Sequence, residues 1–138
     1  GSRKVYELHG TYRTGHCVRC RAIFEMEPYY SEIQSGRLRV PLCSKCAGTI
    51  KPDIVLFEDL IPMDAWQAAQ EAAERCDLMM VLGSSLQVYP AAGLPSVALS
   101  RGAAMIIVNM EGTDYDHRAS VALSMKLGDF ARAVLDRL

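Results

Sequence analysis

Leu78-Met79-Met80-Val81-Leu82-Gly83-Ser84-Ser85 is an apolar run of five residues closed by a turn of small residues. The run is far shorter than the roughly 20 apolar residues of a membrane span, and it lacks polar alternation, so it reads as a strand buried on both faces. Met79 and Met80 are then core. Upstream, Leu60-Ile-Pro-Met-Asp64 leads into an alanine-rich helix from Ala65 to Arg75, with Asp64 and Gln67 spaced like a capping box. Downstream, a second helix runs from Pro90 towards Arg101-Gly102. A further apolar run, Met105-Ile-Ile-Val108, stops at Asn109. Val121 to Met125 is a third candidate strand, and Asp129 to Leu138 forms an amphipathic helix. Strands alternating with helices in this way indicate a parallel α/β sheet.

The first third of the chain has a different rhythm. Four of its cysteines form two C-x-x-C knuckles, Cys17-Val-Arg-Cys20 and Cys43-Ser-Lys-Cys46, with residues 21–42 between them. Tetrahedral zinc takes four soft ligands, and each knuckle offers two thiolates from one tight turn. The pattern predicts one structural zinc per chain with no open coordination position and no chemistry of its own. Two local disulfides are the alternative, but no secretory feature accompanies them. His16 precedes Cys17 and reads as a neighbour, because four cysteines already close the site. Cys76 reads as a small buried hydrophobe. The module spans Thr14 to Ile50, with a polar excursion at Ser31–Gly36.

Of the 138 residues, 50% are hydrophobic, enough for a substantial core, and the formal net charge is −1. Such a balance lacks the basic patch that nucleic acid requires, which counts against a nucleic-acid-binding zinc ribbon. No membrane span and no signal-peptide pattern are present, so the expectation is a soluble, cytoplasmic protein. Gly1-Ser2 reads as a cloning scar.

Ligands of parallel α/β sheets bind at the carboxyl ends of the strands. Gly83-Ser84-Ser85 offers backbone N–H groups and hydroxyls there, suited to phosphate or ribose oxygens, although such a turn is commonly only a turn. Asn109 ends the next strand, where its amide is placed to grip ribose or adenine, or simply to cap.

Taken in order, Leu8-His9-Gly10, the two knuckles, Lys51-Pro-Asp-Ile-Val-Leu-Phe57, Leu82-Gly-Ser-Ser-Leu-Gln-Val-Tyr-Pro-Ala-Ala92 and Ile107-Val-Asn109 resemble the sirtuins, the NAD-dependent protein-lysine deacylases. The resemblance runs from Val5 to Leu138 and is closest to bacterial and archaeal members. It implies a Rossmann-like fold with an inserted zinc ribbon, NAD as cofactor and an acyl-lysine protein or peptide as substrate. His9 matches the family's catalytic base. Val55, Phe57 and Glu58, facing Val88, match its substrate groove and acyl-lysine tunnel. Gly83, Ser84 and Ser85, then Asn109, Met110 and Glu111, and finally Leu127 match its NAD contacts. In the family reaction the acyl oxygen attacks C1′ of the nicotinamide ribose and nicotinamide leaves. The base then activates a ribose hydroxyl, and water releases deacylated lysine and acylated ADP-ribose. Histidine titrates near neutrality and suits the base's role, while an apolar slot admits uncharged acyl-lysine far more cheaply than an ammonium.

Three departures qualify the match. The family's Gly-Ala-Gly-x-Ser phosphate loop and its Gln-Asn-x-Asp nicotinamide segment are both absent from the sequence, so only the second half of the dinucleotide fold is expected. Glu58 stands where the family carries glycine in Phe-Gly-Glu, and Lys126 stands where close relatives carry an acidic residue. The resulting division is 3–13 for the segment with His9, 14–50 for the zinc module and 51–138 for the half Rossmann-like domain. Leu78–Leu82 would then lie at an open edge, awaiting the missing N-terminal half as partner, and the chain alone would be inactive. The competing reading is a non-catalytic zinc-stabilised module that binds acylated peptides or a partner chain.

Overall fold

The structure is a computed structural model that describes residues 2–137. Gly1 of the expected scar and Leu138 of the expected last helix lie outside the described residues. The chain forms two compact units, Gly1–Trp66 and Gln67–Leu138.

In the first unit, strands β1 (Gly10–Cys17), β2 (Ile23–Glu25) and β3 (Ile50–Ile54) form an antiparallel sheet in the order β2-β1-β3. The first knuckle is itself the turn joining β1 to β2. Helix α1 (Glu27–Gln34) occupies most of the stretch expected to be a polar excursion. It opens with Pro28 in its first turn and is followed by Gly36 at φ +73°, the usual asymmetry of helix ends. The core is small: Cys17, Met26, Cys43 and Ile50 are all but fully buried, with Phe24, Tyr29 and Tyr30 packed against them. Burying Met26 and Ile50 stabilises the unit by about 2–3 kcal/mol each.

The β1–β3 ladder is regular at one end only. His16 pairs with Lys51 and Cys17 with Ile50, but the next partners are Gly15–Pro52 and Gly10–Ile54. Five residues of β1 are thus passed for two of β3, with Pro52, which has no N–H to give the ladder, at the break. Gly10 closes this bulge at φ +72°, and a Cβ on it would stand 2.0 Å from the Asp53 carbonyl oxygen.

In the second unit, β4 (Leu78–Leu82), β5 (Ala104–Asn109) and β6 (Val121–Ser124) form a parallel sheet in the order β4-β5-β6, with Leu78 opposite Ala104 and Asn109 opposite Ser124. Helix α2 (Met63–Arg75) precedes β4, α3 (Leu94–Ser100) connects β4 to β5, and α4 (Leu127–Leu135) follows β6. The predicted capping box at Asp64 does not form. The Trp66 N–H donates to the Pro62 carbonyl, so the helix begins at Met63 and Asp64 already lies in its first turn.

Only one face of β4 is covered, which corrects the expectation of burial on both. Met79, Val81, Met105 and Ile107 share the covered face, where Leu86, Leu99, Tyr115 and Ala119 pack on them. On the other face Leu78, Met80 and Leu82 are nearly half exposed, as are Val121 and Leu123. Met80 is therefore not core, and β4 is an edge strand as expected. The covered side is pinned by Tyr115, whose buried hydroxyl donates to the Ala92 carbonyl.

Replacing Gly10 by Ala forces a left-handed backbone on a residue with Cβ and drives that atom into backbone. The expected result is a loss of at least about 2 kcal/mol in urea unfolding of the zinc-loaded chain.

Candidate functional site

The two knuckles repeat one set of hydrogen bonds. Arg21 N–H donates to the Cys17 carbonyl and Ala47 N–H to that of Cys43, while Cys17 N–H donates to Ala22 and Cys43 N–H to Gly48. Arg21 and Ala47, each just after the second cysteine of its knuckle, sit at φ +60° and +57°. Arg19 and Lys45 amides point at the Cys17 and Cys43 sulfurs at 3.4 and 3.3 Å. The four Sγ atoms lie within 4.8 Å of one another, with Cys17–Cys46 at 3.4 Å and Cys20–Cys43 at 3.6 Å. These separations are too long for disulfides and close to the roughly 3.8 Å edge of a tetrahedron of sulfurs about 2.3 Å from zinc. All four residues therefore fit the ion.

The N–H groups of the knuckle make Cys17 an incipient thiolate. That of Cys20 is the main influence, and it draws the thiol down to about 6 against the opposing pull of burial. Cys46 also receives a backbone N–H, from Gly48, but its bond to Cys17 pushes it up to about 12. Zinc binding would displace the protons that remain on the four thiols. His16 is not among the four. Its Nδ1 stands 2.5 Å from Asp53 Oδ1 instead.

His9 occupies the turn just before β1 and is exposed. Its carbonyl accepts from Val55 N–H at 2.9 Å, which fastens it to the start of the Val55–Asp59 segment. Beyond Val55 the chain turns sharply, with Glu58 at φ +73°. Glycine suits that conformation, and a glutamate there is strained. Asp59 holds the turn by accepting from Lys51 Nζ at 2.5 Å and from Leu56 N–H at 3.1 Å. Chiefly through the Lys51 bond, its carboxyl is held below the usual range. Phe57 is 93% exposed, so it is not core.

The remaining candidates lie in the second unit. Gly83, at φ +64°, gives its N–H to the Val108 carbonyl, leaving that amide unavailable to a phosphate. A Cβ on Gly83 would stand 2.6 Å from Leu127 Cδ1, so these two predicted residues are neighbours. The Ser84 hydroxyl accepts from Leu86 N–H. Val88 is 55% exposed, and its carbonyl accepts from Ala92 N–H.

A cleft of about 110 Å³ opens at the carboxyl ends of β5 and β6, lined by Asn109, Glu111, Gly112, Asp116 and Ser124 above Ile107 and Ala122. Asn109 Nδ2 donates to the Glu111 carbonyl, and the Ser124 hydroxyl donates to that of Met110, whose side chain is exposed. Two carboxylates and an amide suit a ribose diol and repel a phosphate. Asp116 and Ser124 escaped the sequence reading. Thr113-x-x-Asp116 carries a signal for the first, and Thr113 Oγ1 does donate to Asp116 Oδ1 at 2.6 Å.

Residues 1–90 match the Sir2 family. The chain belongs to that family. It is 41% identical over 136 residues to the NAD-dependent protein deacetylase of Thermotoga maritima, covering 99% of this chain and 54% of that protein. It is 39% identical over 143 residues to the NAD-dependent protein deacylase of Mycolicibacterium paratuberculosis, covering 100% of this chain and 58% of the relative. Among solved structures, a Sir2–p53 peptide–NAD+ complex superposes with a TM-score of 0.89 at 41% identity over 99% of this chain and 56% of that one. Sir2Tm bound to a propionylated peptide gives 0.89 at 41% identity, over 99% and 57%. The chain thus spans about half the length of the curated relatives it matches. Its α/β architecture, parallel sheet and four-cysteine cluster are those expected of a Sir2-family piece. No helix among the described residues is long and apolar enough to cross a membrane.

In this Sir2-family chain, Cys43→Ser should lower zinc affinity by more than about 100-fold and unfold the first unit, because zinc binding and folding are one equilibrium in such a small module. Competition with a chelator, read together with amide protection, checks both effects.

Proposed function

We propose that this chain is the second half of an NAD-dependent protein-lysine deacylase, with His9 as its general base. The observation that carries the reading is the Val55 N–H bond to the His9 carbonyl, which holds the candidate base beside the candidate substrate segment. Sir2-family membership and relatives named as deacetylases and deacylases support it. NAD, when bound, would supply the ribose that takes the acyl group and the nicotinamide that leaves. Asn109 and Glu111 would orient the ribose on the adenine side, with Met110 contributing backbone. Gly83, Ser84, Ser85 and Leu127 would complete that wall. Val55, Phe57 and Glu58 would receive the acyl-lysine strand, and exposed Phe57 is available to such a partner. His9 would accept a proton from a ribose hydroxyl.

A complementary N-terminal half would also meet the partly exposed face of the parallel sheet. Leu78, Met80, Leu82, Val121 and Leu123 are the apolar surface that it would bury, together with the open edge of β4. Both the phosphate-binding loop and the nicotinamide pocket of the family would come with that half. The chain alone then holds only part of a site, and partial contacts must still offset the immobilisation of ligand.

The 138-residue chain should therefore bind NAD with Kd above roughly 1 mM, about −4.1 kcal/mol, and release no nicotinamide from it in the presence of an acetyl-lysine peptide. Calorimetry decides this: micromolar affinity would contradict the half-site account. In an assembly restored to activity by a complementary half, His9→Ala should cut turnover by about 10²–10⁴-fold with little change in NAD affinity. Near-normal turnover would remove His9 from the mechanism.

A further inference from the structure

The bulge in β1 leaves the segment leading back to His9 without regular ladder partners, and one side chain takes their place. Asp53 is the residue of β3 between Pro52, opposite Gly15, and Ile54, opposite Gly10. Its Oδ2 accepts from Thr14 Oγ1 at 2.6 Å, and its Oδ1 lies 2.5 Å from His16 Nδ1. Its carbonyl oxygen occupies the space that only a glycine at position 10 leaves open. Two residues further on, Val55 N–H reaches the His9 carbonyl at 2.9 Å.

Burial raises the Asp53 carboxyl, but the hydrogen bonds from His16 and Thr14 outweigh it and hold the group below the usual carboxylate range. An ionised acceptor makes stronger bonds than a neutral one, which suits a clamp that is only partly shielded from water. Side-chain bonds on one flank and the Gly10 contact on the other thus fix the same short piece of β3 against both ends of the bulge.

We propose that Asp53 is a positioning residue: by clamping Thr14 and His16 across the bulge, it fixes where β1 begins and so where His9 stands relative to the Val55–Asp59 segment. This rests on the reading of His9 as the base, but the positional claim is separable from it. Thr14, His16 and Asp53 are not among the four cysteines, but His16 immediately precedes Cys17, so zinc retention is followed together with exchange at Val55.

Amide hydrogen exchange by NMR on the zinc-loaded 138-residue chain tests the proposal, with Val55 as reporter and Ile50, whose N–H bonds to the Pro41 carbonyl, as internal control. In Asp53→Ala, Val55 exchange should accelerate roughly 10–100-fold while zinc stays bound and Ile50 changes less than about threefold. Asp53→Asn retains an acceptor for His16 and a polar partner for Thr14, and should restore most of the protection. Thr14→Val removes one bond of the pair and should accelerate Val55 by about three- to tenfold. An unchanged Val55 in both Asp53→Ala and Thr14→Val would overturn the proposal. So would parallel acceleration of Val55 and Ile50 with loss of zinc, which marks a merely structural residue. If the Val55 pattern appears as expected while His9→Ala leaves turnover intact in the restored assembly, the positioning role stands and the assignment of the base falls.

Discussion

Four sulfur atoms within 4.8 Å of one another are the constraint on which the first unit depends. Its fully buried core is only Met26, Ile50, Cys17 and Cys43, with Phe24, Tyr29 and Tyr30 partly buried against them, which is little to hold a three-stranded sheet and a short helix unaided. The knuckles supply what the core lacks. One is the β1–β2 turn and the other leads into β3, so a single ion would tie all three strands at one point. From there the order is handed along β1 and β3, past the bulge, to the turn that carries His9. The metal has no chemical role in this account. It sets the geometry from which the candidate base is measured.

The second unit has the opposite character: one face of its sheet is closely packed, while on the other Val108 of the central strand is buried and the two outer strands are partly exposed. Its parallel register is regular through all five pairs of β4 with β5, and the carboxyl ends of β5 and β6 meet in a polar cleft. Yet a row of leucine, methionine and valine side chains on the far face is left partly in water. A parallel sheet is normally covered on both sides, because crossover helices fall on both faces. The chain also spans only about half the length of the relatives it matches, and the proposed complementary half would cover this exposed row.

What the sequence made legible follows the strength of the local physics. Paired knuckles admit few alternatives, and the cluster formed as read. Apolar runs ending in Gly83 and Asn109 were legible as parallel strands, since length and composition alone separate them from helices. The capping-box spacing misleads because backbone bonding begins at Pro62, two residues ahead of the Asp64 side chain that would mark the start. Helix α1 leaves little trace in the sequence because no residue in it is buried and its apolar pattern is weak, although Pro28 and Gly36 bracket it. The exposure of Met80 is not legible in the sequence, because an apolar side chain cannot announce whether a covering layer is present. The roles of Asp53 and Asp116 depend on partners brought near by the fold, and only Asp116 left a local trace, in its spacing from Thr113.

A closed, four-thiolate zinc site would anchor the unit that carries His9 and take no part in chemistry. X-ray absorption at the zinc edge of the purified chain tests it most directly. The account requires one zinc per chain with four sulfur neighbours at about 2.3 Å and no nitrogen or oxygen neighbour. A first shell containing water or the His16 ring nitrogen, or a folded chain free of metal, would contradict it.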